Sequence, residues 1–134
     1  MAPEERIPIY GDGDIVTART RAKEVAGTLG FSRTGQTLIA AAVSEIARNI
    51  VVYAGTGEIV LRPERDEGRW GLVVVATDHG PGIADLDLAL TDGYSSVGSL
   101  GVGLPGSRRL MDTFEVDSVV GRGTTVTMRK WAGS

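Results

Sequence analysis

Asp78-His79-Gly80-Pro81-Gly82-Ile83 follows closely on the apolar run Leu72 to Ala76. A strand that ends in one acid and then in glycines around a proline presents a carboxylate beside bare backbone, where a flat heterocycle can lie close. The same residue types build any sharp turn, so Asp-x-Gly-x-Gly taken alone reads as a plain turn. The choice between the two readings, and with it the fold, rests on one helix upstream and two glycine loops downstream.

The upstream segment begins at Thr34 or Gly35 and runs to Ala54, before Gly55 and Gly57. Ile39, Ala42, Val43, Ile46, Ile50 and Tyr53 form one apolar stripe at helical spacing, widened by Leu38 and Ala41, so this helix should be the most buried in the chain. Between Leu38 and Tyr53 its polar residues are Ser44, Glu45, Arg48 and Asn49. Glu45 and Asn49 lie one turn apart on one face. Such a pair is either a solvated stripe or two tools at a phosphate site. The carboxylate can take a proton from an attacking hydroxyl, and the amide oxygen can hold magnesium.

Downstream, Thr91 to Gly103 is rich in glycine and serine and reads as a mobile loop, after a possible turn of helix at Ala84 to Ala89. It ends in Gly98-x-x-Gly101-x-Gly103-Leu104-Pro105-Gly106. Leu110, Met111 and Phe114 then fall at helical spacing, which suggests a helix over Ser107 to Phe114. A glycine-rich loop feeding a helix is an anion site in outline, because the first helical turn leaves amide N–H groups unsatisfied. Arg108 and Arg109 either meet that anion or face water. The second glycine loop, Gly121-Arg122-Gly123, joins Glu115 to Val120 with Thr124 to Trp131 in a terminal hairpin.

The remaining elements are conventional. Arg6 to Tyr10 reads as a short strand, and Asp14 as the cap of a helix carrying Ile15, Ala18, Ala22, Val25, Ala26 and Leu29 until Gly30 stops it. Arg19, Arg21, Lys23 and Glu24 fall mostly on the other side and read as a solvated face rather than a docking surface. Glu58 to Arg62 and Trp70 to Thr77 read as an antiparallel pair of strands, with Pro63 to Arg69 as a polar hairpin between them.

Composition sets the outer bounds. A chain of 134 residues, spanning 1–134, fits one domain, and 42% hydrophobic with 23% charged residues is ordinary for a soluble globular protein. Cysteine is absent and there is one histidine, so disulfides, thiol catalysis and histidine-cluster metal sites are excluded. No signal-like N-terminus and no segment of transmembrane length is expected, which places the chain in the cytoplasm and off the membrane. A net charge of −3 without long charge blocks gives no footprint for nucleic acid.

Glu45-x-x-x-Asn49 on a helix, Asp78-x-Gly-x-Gly after a strand, the Gly98 to Gly106 loop before a helix, and Gly121-x-Gly-Thr124 between strands arrive in that order. Together they resemble the GHKL (Bergerat-fold) ATPase family, the group of gyrase, the Hsp-type chaperones, MutL and the histidine kinases, across nearly the whole chain. The resemblance implies an α+β fold: a two-layer α/β sandwich with a mixed, mostly antiparallel sheet and helices packed on one face.

It also implies ATP and Mg2+ as cofactors and a role for each matching residue. Asp78 would accept a hydrogen bond from the adenine amino group, with Gly80 and Gly82 letting the base approach, Ile83 beside it, and Thr124 supporting the same edge through water. Asn49 would bind magnesium. Gly98, Gly101, Val102, Gly103 and Leu104 would cradle the phosphates, with Tyr94 to Leu100 as the lid, and Glu45 would be the catalytic base.

Within the family, the segments Ser44 to Ile50, Asp92 to Ser96, Gly101 to Gly106, Arg109 to Asp112 and Arg129 to Trp131 look most like the small serine/threonine protein kinases that act as switches of the stressosome. The chain is too short for the helical hairpin that carries a phospho-accepting histidine, and His79 sits inside the nucleotide motif. The resemblance implies transfer of phosphate to STAS-domain proteins and, on release from them, activation of a PPM-type serine phosphatase in stress-response signalling. Two alternatives stand beside it: an anti-sigma factor kinase that sequesters a sigma factor and phosphorylates its antagonist, and a nucleotide-gated module without enzymatic activity.

Overall fold

The computed structural model describes residues 4–80 and 104–133. Five strands form a sheet in the order β1-β2-β3-β5-β4: β1 Glu5–Ile9, β2 Gly57–Asp66, β3 Arg69–Asp78, β4 Thr113–Val119 and β5 Gly123–Trp131. All the described pairings are antiparallel. Helices α1 (Asp12–Thr28), α2 (Arg33–Asn49) and α3 (Leu104–Leu110) complete the described elements, with α2 continuing into a π-helical turn, Ile50–Ala54. This is the expected α+β sandwich, helices on one face of a mostly antiparallel sheet.

Strand periodicity decides which face the helices cover. Ile7 and Ile9, Ile59 and Leu61, Leu72, Val74 and Ala76, and Val126 and Met128 alternate inward and are buried. The stripe of α2 meets them with Ile39, Val43, Ile46 and Ile50 at 0–2% exposure. From α1, Ala18, Ala22, Val25 and Ala26 close the same core. The segment Arg33–Ala54, 22 residues with mean hydropathy 1.4, is long and apolar enough to cross a membrane by length and composition, contrary to the sequence expectation. Its stripe is consumed by this core, which is the physical reason for its apolar character.

Local chemistry sets the helix ends. Asp14 is not the cap of α1. Gly11 is, and the Asp14 carboxylate, inside the first turn, accepts the Tyr10 amide at 2.8 Å and the Gly11 amide at 3.3 Å. At the other end Gly30 takes φ +90°, and the Phe31 and Gly30 amides return to the carbonyls of Ala26 and Gly27, a Schellman closure. Ser32 caps α2 by accepting the Gly35 amide at 3.0 Å. Arg21 ties α1 to β1 through Glu5 and also pairs with Glu24, and these hydrogen bonds, Glu5 first, push its guanidinium further toward the charged form.

Three sequence boundaries shift. Strands β2 and β3 run on through Pro63 to a two-residue turn, Glu67-Gly68, with both residues at positive φ, the turn that matches strand twist. Pro63 is tolerated because it lies beyond Leu61, the last β2 residue in the β1 ladder, where no strand among the described residues pairs with that side of β2. The helix over Ser107 to Phe114 instead occupies Leu104–Leu110, and Phe114 enters β4 opposite Met128. The helix expected to reach Ala54 changes from α to π geometry at Ile50. The expectations for Gly82, Ile83, Gly98, Gly101, Val102 and Gly103, for the lid, and for helix at Ala84 to Ala89 lie outside the described residues.

Candidate functional site

One row of the sheet carries the site's floor. Ile9, Gly57, Asp78, Thr124 and Ser118 stand in register across all five strands. They point to the helix side, one step beyond the core row Ile7, Ile59, Ala76, Val126 and Val116. The carboxylate that ends β3 is therefore half-buried at the mouth of the core, under the end of α2.

Asp78 folds onto its own turn: Oδ1 accepts the Gly80 amide at 2.9 Å. Oδ2 has no hydrogen-bond partner among the described residues. Beside Asp78, the Thr124 hydroxyl lies 2.9 Å from Ser118 Oγ, and Ser118 donates to the Gly123 carbonyl at 3.2 Å. In that arrangement Thr124 donates to Ser118 and keeps its lone pairs, so Asp78 and Thr124 together offer acceptors to a donor group such as an exocyclic amine.

Three glycines surround Asp78, each where a side chain has no room. A Cβ on Gly57 would stand 2.9 Å from Ile50 Cγ2, and one on Gly80 would stand 2.7 Å from Ala54 Cβ. Gly123, at φ +126°, lies against the carbonyl of Asp78 itself, and a Cβ there would overlap it. On one side Gly80 is pressed against the π-helical turn. Ile50 and Ala54 are the first and last residues of that turn, which therefore joins the Asp78 floor to the end of α2.

Glu45 and Asn49 sit on that end of α2. Glu45 is about a third exposed, and Oε1 is held by Arg48 at 3.2 Å. Asn49 Oδ1 is buried without a hydrogen-bond partner among the described residues. A buried amide oxygen left unpaired costs free energy, so the position fits a ligand that the described residues do not supply. A hard cation that accepts carbonyl oxygen meets that need, and Mg2+ takes few protein ligands together with substrate phosphates.

On the far side of the glycine loop, α3 begins at Leu104. Its Ser107 is fully buried and donates to the Ala42 carbonyl of α2 at 3.2 Å. The helix that receives the loop is thus fastened to the helix that carries Glu45 and Asn49. Neither Ser107 nor Gly57 stood out in the sequence, where a serine after a glycine loop and a glycine after a helix read as ordinary punctuation. The structure brings Glu45, Asn49, Asp78, Gly80 and Thr124 to one end of the sandwich, with α3 tied through Ser107 to the helix that carries Glu45 and Asn49.

The sequence matches the model of the histidine kinase-like ATPase domain over residues 12–130. It is 45% identical over 131 residues to the serine/threonine-protein kinase RsbT of Bacillus subtilis (strain 168), covering 98% of both chains. Among solved structures, a mycobacterial sensor histidine kinase, MprB, has a TM-score of 0.57 at 16% identity, covering 96% of this chain and 97% of that one. At that identity the second likeness speaks for the fold alone.

Proposed function

The chain belongs to the histidine kinase-like ATPase domain family, and from that premise we propose that it is a switch kinase, moving the γ-phosphoryl group of ATP to a serine or threonine of STAS-domain proteins. Its activity as a protein kinase is supported by the 45% identity, over nearly the full length, to a serine/threonine-protein kinase. The observation that carries the site assignment is the unpartnered, buried Asn49 Oδ1 one helical turn from Glu45.

In this reading each residue has a defined task. Asp78 Oδ2 and Thr124 accept from the adenine amino group. Asn49 holds the magnesium ion, which when bound neutralises charge on the phosphates. Glu45 takes the proton of the acceptor hydroxyl as its oxygen bonds to the γ-phosphorus and the bond from that phosphorus to the bridging oxygen breaks, leaving ADP. A general base of this kind contributes roughly a hundred- to ten-thousand-fold in rate. The rest is positioning and charge stabilisation, as in other phosphoryl transfers. Arg48 holds Glu45 Oε1 at 3.2 Å, which leaves Oε2 without a hydrogen bond among the described residues.

Release from the STAS proteins would free the kinase to bind and activate a PPM-type serine phosphatase, making the same chain an enzyme and a binding partner in stress signalling. Incubation with MgATP and purified STAS proteins, with the phosphate located by mass spectrometry, tests the reading. Phosphate on a STAS serine or threonine is the expected result. ATP binding without transfer would overturn the kinase assignment, and tight capture of a sigma factor would favour the anti-sigma alternative.

A further inference from the structure

Most surface cations of this chain are already partnered. Arg6 pairs with Glu58, Arg21 with Glu5 and Glu24, Arg48 with Glu45, and Arg129 with Glu64, while Arg65 and Arg69 lie over Trp70 and Trp131. Arg19 and Lys23, one turn apart on α1, have no ion pair among the described residues. Both line a groove of about 660 Å³ between α1 and the first half of α2. The sequence alone reads them as a solvated face, but the groove beside them is not built like one.

Between the charged residues its lining is small or uncharged: Thr20 and Gly27 from α1, and Gln36, Thr37, Ala40 and Ala41 from α2. Gly27 is exposed in the last turn of α1, one residue before its end at Thr28. Nothing in the fold demands it: its φ is not in the left-handed region, and a Cβ would meet only the Gln36 carboxamide, at an ordinary 3.5 Å. What the missing side chain does is leave the groove open between Lys23 and Gln36, where a larger residue on α1 would project into it. A channel with a small-residue lining between two packed helices suits a third helix, whose side-chain ridge can settle into it. Glu24 also lines the groove and pairs with Arg21, which it shares with Glu5, so the lining itself carries two positive charges, Arg19 and Lys23, against one negative.

We infer that the α1–α2 groove is a docking site for an amphipathic helix of a partner protein, with small apolar residues on its buried face and acidic residues flanking them. The groove uses the outer side of the helix layer and the start of α2, whereas Glu45 and Asn49 lie near the end of α2. Docking and nucleotide binding therefore occupy different surfaces and are separable by mutation.

The test uses the full chain and three synthetic helical peptides of about 18 residues, five turns, which share an Ala/Leu face and carry glutamate, glutamine or lysine on its flanks. Binding is followed by fluorescence anisotropy and by amide chemical shifts. The acidic peptide should bind saturably, perturb α1 and the start of α2, and lose at least tenfold in affinity in R19E/K23E and in G27L. Both variants should bind ATP as the parent does, which shows that they fold. No saturable binding at millimolar peptide, equal binding of the three peptides, or affinity unchanged in both variants would each overturn the inference. So would self-association, or binding to phosphatidylglycerol vesicles, that R19E/K23E abolishes while the acidic peptide fails to bind.

Discussion

Gly80 is pressed against Ala54: a Cβ on the glycine would stand 2.7 Å from the alanine Cβ and 3.0 Å from its Cα. The contact joins the turn after Asp78 to the π-helical turn after Asn49. Gly80→Ala should therefore push Asp78 away from the end of α2. Overpacking of this kind costs roughly 1–3 kcal/mol. The expected outcome is ATP affinity reduced by about tenfold or more with a smaller loss of thermal stability, read by calorimetric titration and a melting curve. Ala54→Gly, which relieves the contact, should restore part of the affinity in the double variant.

Gly123 carries a different constraint. At φ +126° beside the Asp78 carbonyl, it can take neither the backbone geometry nor the volume of an alanine. Forced φ and overpacking each cost about 1–3 kcal/mol, against a total stability of roughly 5–15 kcal/mol for a domain. Gly123→Ala should lower the melting temperature by about 10 °C or more. A variant that melts with the parent would show that the β4–β5 turn adapts.

How far these relations were legible in the sequence depends on their range. The 3.6-residue stripes of α1 and α2 and the alternation of β5 needed only local periodicity, and Gly30 announced the end of α1 through a φ that other residues avoid. The π-helical turn was not legible, because one turn of i+5 hydrogen bonding leaves the apolar spacing of Ile46, Ile50 and Tyr53 unchanged. Pro63 disguised the length of β2, since edge position is a property of the sheet and not of the proline. Leu110, Met111 and Phe114 imitated a helix because a short helix leading into a strand can place three apolar residues at that spacing by chance. In the site, Asp78 and Asn49 were legible as members of motifs. Gly57 and Ser107 were not, because each answers a neighbour distant in sequence, Ile50 beside the one and Ala42 beside the other.

Asp78→Asn tests the floor. Asparagine keeps the volume but replaces a charged acceptor with an amide. A hydrogen bond to a charged group is worth about 1.5–3 kcal/mol, so ATP affinity should fall roughly ten- to a hundredfold. Loss of adenine discrimination should accompany it, measured as a reduced preference for ATP over GTP. Unchanged affinity would remove Asp78 from the base-reading role.

Asn49→Ala tests the metal. The variant removes the one buried, unpartnered side-chain oxygen found among the described residues, so the free protein should be no less stable than the parent. Magnesium should then no longer strengthen ATP binding as it does in the parent. Titrations with and without magnesium separate the two effects. A variant that is markedly less stable, yet keeps its magnesium dependence, would show that Asn49 serves the fold instead.

Glu45→Gln separates chemistry from binding. The substitution conserves shape and the capacity to accept from Arg48, which holds Oε1 at 3.2 Å in the parent. Because the Glu45–Arg48 pair lies at the surface, where an ion pair contributes at most about 1 kcal/mol, the fold should be nearly indifferent to losing the charge. A base acts only once the acceptor hydroxyl is in place, so ATP affinity should be nearly unchanged while transfer falls roughly a hundred- to ten-thousand-fold. Single-turnover phosphorylation of a STAS protein at saturating MgATP reads that fall directly, without contribution from product release. Transfer at the parent's rate would leave Glu45 as the ion-pair partner of Arg48 and move the search for the base to another residue.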